Sequence, residues 1–206
     1  MKNLLSLAVV AVLTMSGFHQ AQASTLLVDT GVPTGTGFPV SLNSGQWLAS
    51  EFSTPGEVSV TSIEAYILAD NGNPDSATFT ITVYQNAANN TPDTVDPAVF
   101  SQQATYTADG WNGLSGINVD LPAGSYWVAF EVGPNGDTLQ GLLPVPSSNP
   151  LTTAFYDGTS TGGYTVLSGS NYSFGVQIAA VPVPPSVLLF ASGLLAAGRL
   201  GKRRAV

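Results

Sequence analysis

Thr78-Phe79-Thr80-Ile81-Thr82-Val83-Tyr84 (T-F-T-I-T-V-Y) is the stretch that decides the fold. In an extended chain Phe79, Ile81 and Val83 point to one side, and Thr78, Thr80, Thr82 and Tyr84 to the other. β-Branched and aromatic side chains fill both sides, which suits a pleated, half-buried surface. On a helix the same apolar residues would be scattered around the axis. The stretch is bracketed by Asp70-Asn71-Gly72-Asn73-Pro74-Asp75, a dense turn signal, and by a polar loop over Asn86–Pro97.

The same punctuation continues in both directions. Downstream, Val99–Thr107 reads as extended, Asp109-Gly110-Trp111-Asn112-Gly113 as a turn holding an aromatic, and Gly116–Leu121 as a strand. Pro122-Ala123-Gly124 turns the chain into Ser125–Val132 (S-Y-W-V-A-F-E-V), a second strong strand. Gly133–Pro150 reads as loop with a short strand near Thr138–Leu142. Ala154–Tyr156, Tyr164–Leu167 and Tyr172–Ala180 follow as further strands. Upstream, Val58–Leu68 alternates but changes phase at Thr61-Ser62, the mark of a bulge or of two successive strands. Gln46–Ser53 and Thr25–Asp29 complete the set. About eight to ten short strands without a helical period predict an all-β domain, an antiparallel β-sandwich. Jelly roll is the first expectation for its topology and an immunoglobulin-like sandwich the second. One such domain is expected over residues 24–180, with a hydrophobic helix at each end of the chain.

Charge separates the body from its ends. Of 206 residues only 9% are charged, and the five basic ones are Lys2, Arg199, Lys202, Arg203 and Arg204. All thirteen Asp and Glu lie between Ser24 and Ala180, so with no Lys or Arg there the body's formal charge is 0 − 13 = −13. Such a body has no cation to hold a phosphate backbone, which argues against nucleic acid as a partner. It can form no internal salt bridge, so it must rest on apolar burial and hydrogen bonding. Cysteine is absent, and the single histidine, His19, precedes the body. Ser-His-Asp and Cys-His catalysis and the usual zinc ligand sets are thereby excluded from it.

The two ends read as processing signals. Residues 1–23 have a positive Lys2, an apolar run Leu4–Leu13 and the small-x-small site Ala21-Gln22-Ala23, which predicts cleavage by signal peptidase between Ala23 and Ser24. Residues 181–206 begin Val181-Pro182-Val183-Pro184-Pro185, continue in an apolar run Ser186–Gly198 and finish with Arg199, Lys202, Arg203 and Arg204. The run is shorter than the ~20 residues that span a bilayer comfortably. The prolines are expected to stop the last strand and give an accessible extended linker, and the basic end to stay on the cytoplasmic side.

This tail resembles the PEP-CTERM sorting signal of Gram-negative surface proteins, with Val183 where that family usually carries Glu. The resemblance implies transient insertion in the inner membrane, processing by an exosortase-like enzyme, and delivery to the cell surface or an exopolysaccharide-rich biofilm matrix. The order W-L-A-S-E-F, V-T-S-I-E-A-Y-I, F-T-I-T-V-Y and L-P-A-G-S-Y-W-V-A-F is similar to compact sandwich ectodomains of anchored bacterial surface proteins. That likeness implies a jelly-roll-like fold and no activity. The expectation is therefore an exported, non-enzymatic surface or matrix protein with no required cofactor.

Three chemistries remain open in the body. Paired carboxylates for glycan hydrolysis must stand about 5–10 Å apart, and Glu51, Glu64 and Glu131 are the candidates, each also explicable as an acid on a solvated strand face. Calcium needs clustered oxygen ligands, and Asp70, Asn71, Asn73 and Asp75 supply them in one turn, although Asp and Asn are also common turn formers. A sugar-binding adhesin needs an exposed ring for stacking. Trp111, in its Gly/Asn-rich turn, is the candidate, although anchoring that loop explains it at least as well, while Trp47 and Trp127 sit in strand patterns and read as core or half-buried.

Overall fold

A computed structural model describes residues 23–34, 39–70, 76–133, 135–156, 163–167 and 172–183. The two predicted terminal helices fall outside them. Among the described residues twelve strands follow in chain order: β1 (Thr25–Asp29), β2 (Val40–Leu42), β3 (Trp47–Thr54), β4 (Val58–Ala69), β5 (Thr78–Gln85), β6 (Phe100–Thr105), β7 (Gly110–Leu121), β8 (Gly124–Glu131), β9 (Gly141–Leu143), β10 (Thr153–Tyr156), β11 (Thr165–Leu167) and β12 (Val176–Pro182). All pairings are antiparallel and form two sheets. One runs β1-β12-β4-β9-β2 with β7 also on β4, and the other β11-β10-β3-β8-β5-β6.

The sheets face each other across a single apolar layer, as a β-sandwich does. Val60, Ile63, Ala65 and Ile67 of β4 and Val176 and Ile178 of β12 meet Leu48 of β3, Phe79 and Ile81 of β5, and Val128 and Phe130 of β8. Phe130 lies at the centre, 5.7 Å from Phe174 edge-on and 6.3 Å from Phe79. The period-2 pattern of Thr78–Tyr84 thus does what it predicts: Phe79, Ile81 and Val83 enter this layer.

The phase change at Thr61-Ser62 is a bulge inside one long strand. β12 pairs Ala180 with Val60 and Ala179 with Ser62, so Thr61 is the extra residue. Val58 and Val60 before it, and Ile63, Ala65 and Ile67 after it, therefore all face inward.

Two expectations change. Gly110-Trp111-Asn112-Gly113 is not a turn but the start of β7, with Trp111 opposite Tyr66 and Asn112 opposite Ala65. The turn lies just before it, where the buried Asn112 holds it shut. Its Oδ1 accepts from Thr107 N at 2.9 Å, and its Nδ2 donates to Ala108 O at 2.7 Å and Gly110 O at 2.9 Å. Gly113 is small because β7 crosses close to β4 there: a Cβ would collide with the Ile63 carbonyl. The final strand also runs past its predicted end at Ala180. Val181 pairs with Ser59 and Pro182 with Val58, and Val183 N donates to Glu57 O at 3.1 Å. Proline is tolerated because β1 pairs no further than Ala180, so beyond that point one side of β12 is an edge where a missing N–H costs nothing.

Ser50 Oγ, between the sheets, is a buried side-chain oxygen with no partner among the described residues. The contrast with Asn112 gives a test by chemical denaturation. Asn112→Ala should cost about 2–3 kcal/mol, because it strips partners from three backbone groups. Ser50→Ala should gain about 1 kcal/mol, because it removes an unsatisfied hydroxyl. The opposite ranking would contradict this picture of the polar contacts.

Candidate functional site

The outward side of the second sheet is not solvated, although its strands alternate. β8 is buried on both faces from Tyr126 to Glu131. Pairing register explains how. Val166, Ala154, Ala49, Ala129, Thr82 and Ser101 fall in one row across β11, β10, β3, β8, β5 and β6. Three alanines in the middle of that row leave a trough. Tyr164 joins those alanines and Trp127 in a second apolar cluster there, with Trp47, Tyr84, Tyr156 and Val166 packed around them. Trp127 is fully buried, and its Nε1 donates to Asn86 Oδ1 at 2.7 Å, which fastens the 86–97 loop over the same face.

The next row carries the chemistry. Tyr156 pairs with Trp47, Glu131 with Thr80, and Thr80 with Gln103. Trp47 is one step beyond the Leu48–Phe130 pair and so stands beside Glu131. Glu131 is only 3% exposed. Its Oε2 accepts from Thr82 Oγ1 at 2.7 Å, and its Oε1 accepts from Tyr164 OH at 2.7 Å and Tyr84 OH at 3.0 Å. Burial first, and then the negative charge of Glu131, push both phenols well above the ordinary tyrosine value, so they stay neutral donors.

Above the carboxylate is a cleft of about 270 Å³ lined by Trp47, Tyr84, Thr94, Glu131, Tyr156, Gly163 and Tyr164. Its rings run in sequence. Trp47 stacks on Tyr156 at 4.6 Å, Tyr156 meets Tyr164 at 5.6 Å, and Tyr164 meets Tyr84 at 6.1 Å. Trp47 Nε1 is used internally, on Val132 O at 2.7 Å. A second carboxylate, Asp137, stands on the same side, accepting from Thr80 Oγ1 and from Gln103 Nε2, each at 2.8 Å.

The candidates chosen from the sequence do not gather in this way. Glu64 is on β4 in the other sheet, opposite Gly113. Glu51 pairs with Trp127, four residues along β8 from Glu131 and so ~13 Å away along the strand. It faces a separate groove of about 510 Å³ with Asp29. Glu131, expected on a solvated face, is buried because the alanine trough draws Tyr164 over it. Trp111, expected in a turn, is half-buried in β7, edge-on to Tyr66 at 5.4 Å. The rings that do gather are Trp47, Tyr84, Tyr156 and Tyr164, whose proximity no local motif announces. Of the calcium candidates, Asp70 ends the turn's described part, with its N donating to Gln140 O at 3.1 Å. Asn71, Asn73 and Asp75 lie outside the described residues, as do Ala21, Pro184, Arg199, Lys202, Arg203 and Arg204. Among the described residues no three Asp, Glu, His or Cys side chains come together as a metal set. Ala23 and Ser24 are exposed just ahead of β1, and Val181 and Pro182 are the last residues of β12.

The buried phenols set the response to alkali. An unfolded tyrosine ionises near 10.0. Tyr106 is pushed up to about 12 by burial and by its hydrogen bond to Asp109, and burial and the Glu131 charge push Tyr84 and Tyr164 well above the ordinary value. Groups raised on folding stabilise fully below pH 10 and lose that contribution as pH climbs through their folded values. Spectrophotometric titration should therefore show some of the seven tyrosines ionising only together with unfolding, above pH ~11. A single reversible step near pH 10 for all seven would contradict the buried network.

No protein-family model matches the chain, and no curated protein does. Among solved structures it is similar to a chain from the structure of infectious bursal disease virus Gx strain, at 13% identity and a TM-score of 0.26. That likeness covers 88% of this chain, which spans about half (49%) of the viral one.

Proposed function

We propose that the protein is an exported, non-enzymatic binding module of the bacterial surface or matrix, and that the cleft over Glu131 is its ligand site. One observation carries the reading: four aromatic rings and a buried carboxylate converge on the outer face of the sheet, away from the core between the sheets. Of the three candidate glutamates only Glu131 is at the cleft, and Asp137, the second carboxylate on that side, is not among the residues lining it, which favours binding over two-carboxylate hydrolysis. The chain path is read as jelly-roll-like, supported by the neighbour orders β1-β12-β4-β7, which joins first strand to last, and β3-β8-β5-β6.

The export reading rests on the two ends. β1 begins at Thr25, two residues after Ala23, so signal peptidase would release a body that starts at its first strand. At the other end Val181 and Pro182 belong to β12, and Val183 is tied to Glu57. An exosortase-like enzyme needs an unpaired segment, so its cut falls beyond Val183, and the body is delivered to the surface or to the exopolysaccharide matrix. Calcium in the Asp70–Asp75 turn and a saccharide in the cleft remain the adhesin variants of this reading.

Two measurements test it. Mass spectrometry of surface or matrix material should give an N-terminus at Ser24 and a C-terminus after Val183 but short of Arg199; a chain ending at Val206 would contradict the sorting. Matrix prepared from the host should retain the wild-type protein and release a Tyr156→Leu variant of unchanged melting temperature. Equal retention would show that the cleft is not what holds it.

A further inference from the structure

We infer that the cleft over Glu131 takes a small organic cation, an ammonium group carrying methyl or alkyl substituents. The inference rests on the reading that this cleft is the ligand site, and adds the chemical class of the ligand.

Charge comes first. A carboxylate withdrawn from water needs a partner of opposite sign or an equivalent set of donors. Glu131 has three hydroxyl donors, which are neutral dipoles, and the body from Ser24 to Ala180 contains no Lys, Arg or His to complete the compensation. No side chain of residues 24–180 can supply a full counter-charge, so a cation that meets this carboxylate comes from outside them. The thirteen acids of the body raise the local concentration of any cation at its surface.

The walls decide which kind of cation. Trp47, Tyr156, Tyr164 and Tyr84 form an unbroken series of ring contacts around the opening. Aromatic faces carry negative quadrupole density, and rings grouped around a desolvated site are a cage for an alkylated ammonium. A bare metal ion would want several charged oxygen ligands, and Glu131 is the one carboxylate among the residues that line this cleft, the other side-chain oxygens being the hydroxyls of Thr94 and the three tyrosines. A sugar would want free donors and acceptors around its hydroxyls and an open ring to lie on. Here the Trp47 Nε1, Tyr84 OH and Tyr164 OH groups are already spent inside the protein, and one face of Trp47 is stacked on Tyr156. At about 270 Å³ the cleft admits a compact head group rather than an extended chain.

The test is calorimetry and tryptophan fluorescence on the whole chain with choline as probe. Its uncharged carbon isostere 3,3-dimethyl-1-butanol, glycerophosphocholine and N-acetylglucosamine are the comparison ligands. Choline should bind saturably, at least about tenfold more tightly than the isostere, and more weakly as salt is raised. Tyr156→Phe should keep the affinity within about twofold, and Tyr156→Leu should lose at least about tenfold. Glu131→Gln should lose as much; if that variant does not fold, the Tyr156 pair and the isostere still decide. Glycerophosphocholine binding as well as choline supports a phosphocholine head group as the source, and weaker binding supports a free ammonium. No saturable choline binding, or equal binding of the isostere, overturns the cation. N-acetylglucosamine binding that Tyr156→Leu abolishes, with no choline binding, overturns the cation and leaves the cleft as the site. Failure of every ligand overturns both.

Discussion

Glu131 is a carboxylate shut into the outer face of β8 in a body without a single positive side chain. The hydroxyls that meet it come from separate parts of the chain: Thr82 and Tyr84 on β5, and Tyr164 just ahead of β11. Tyr164 can reach it because Ala154, Ala49 and Ala129 lie in register and leave the space its ring occupies. Small residues in one row and a charge in the next thus turn an ordinary outward sheet face into a second buried layer. The same arrangement gathers Trp47, Tyr84, Tyr156 and Tyr164 around one opening. Without the carboxylate, Tyr164 would have no reason to turn its hydroxyl inward, and the rings would have no common focus.

The rest of the body meets the lack of cations in the same way. Thr54 Oγ1 donates to Pro122 O at 2.6 Å and accepts from Gly124 N at 3.0 Å, fixing the turn between β7 and β8. Thr30 Oγ1 accepts from Val176 N at 2.8 Å where β1 leaves β12. Asp109 accepts from Tyr106 OH and from Ala69 N, each at 2.7 Å, and those bonds hold its carboxyl below the usual carboxylate range. Thr, Asn and Tyr do the joining that ion pairs do elsewhere, through bonds worth about 0.5–1.5 kcal/mol each, and more where a charge is involved. They place the weak point of the fold at high pH, where phenols must ionise.

Much of the fold was legible because it is written in local patterns. Phe79, Ile81 and Val83 alternate, and they enter the core. The phase change at Thr61 is a bulge visible in the sequence as two apolar residues out of step. Local chemistry misled where a distant neighbour decided. Gly113 looks like a turn former, but it is there because β7 passes too close to Ile63 for a Cβ. Pro182 looks like a strand breaker, but it falls where β12 has an open edge. The site was the least legible part. Glu131 could be named as a carboxylate in a strand, but its burial depends on cross-strand register among Ala49, Ala129 and Ala154, and no single-strand pattern contains that. Asp137, in a Gly-rich loop, gave no signal at all.

A disposable basic tail, an acidic body and an aromatic cleft fit together in the proposed account. On that proposal the ends would carry the positive charge through export, and residues 24–180 would keep a carboxylate met by hydroxyl dipoles. The central claim is that the Glu131 carboxylate physically ties Tyr164 to β8 and thereby builds that site. A double-mutant cycle of Glu131→Gln and Tyr164→Phe, read by chemical denaturation, tests it most directly. The account predicts a coupling of at least about 1.5 kcal/mol, as for a buried hydrogen bond to a charged group. Additive effects, with coupling near zero, would contradict it.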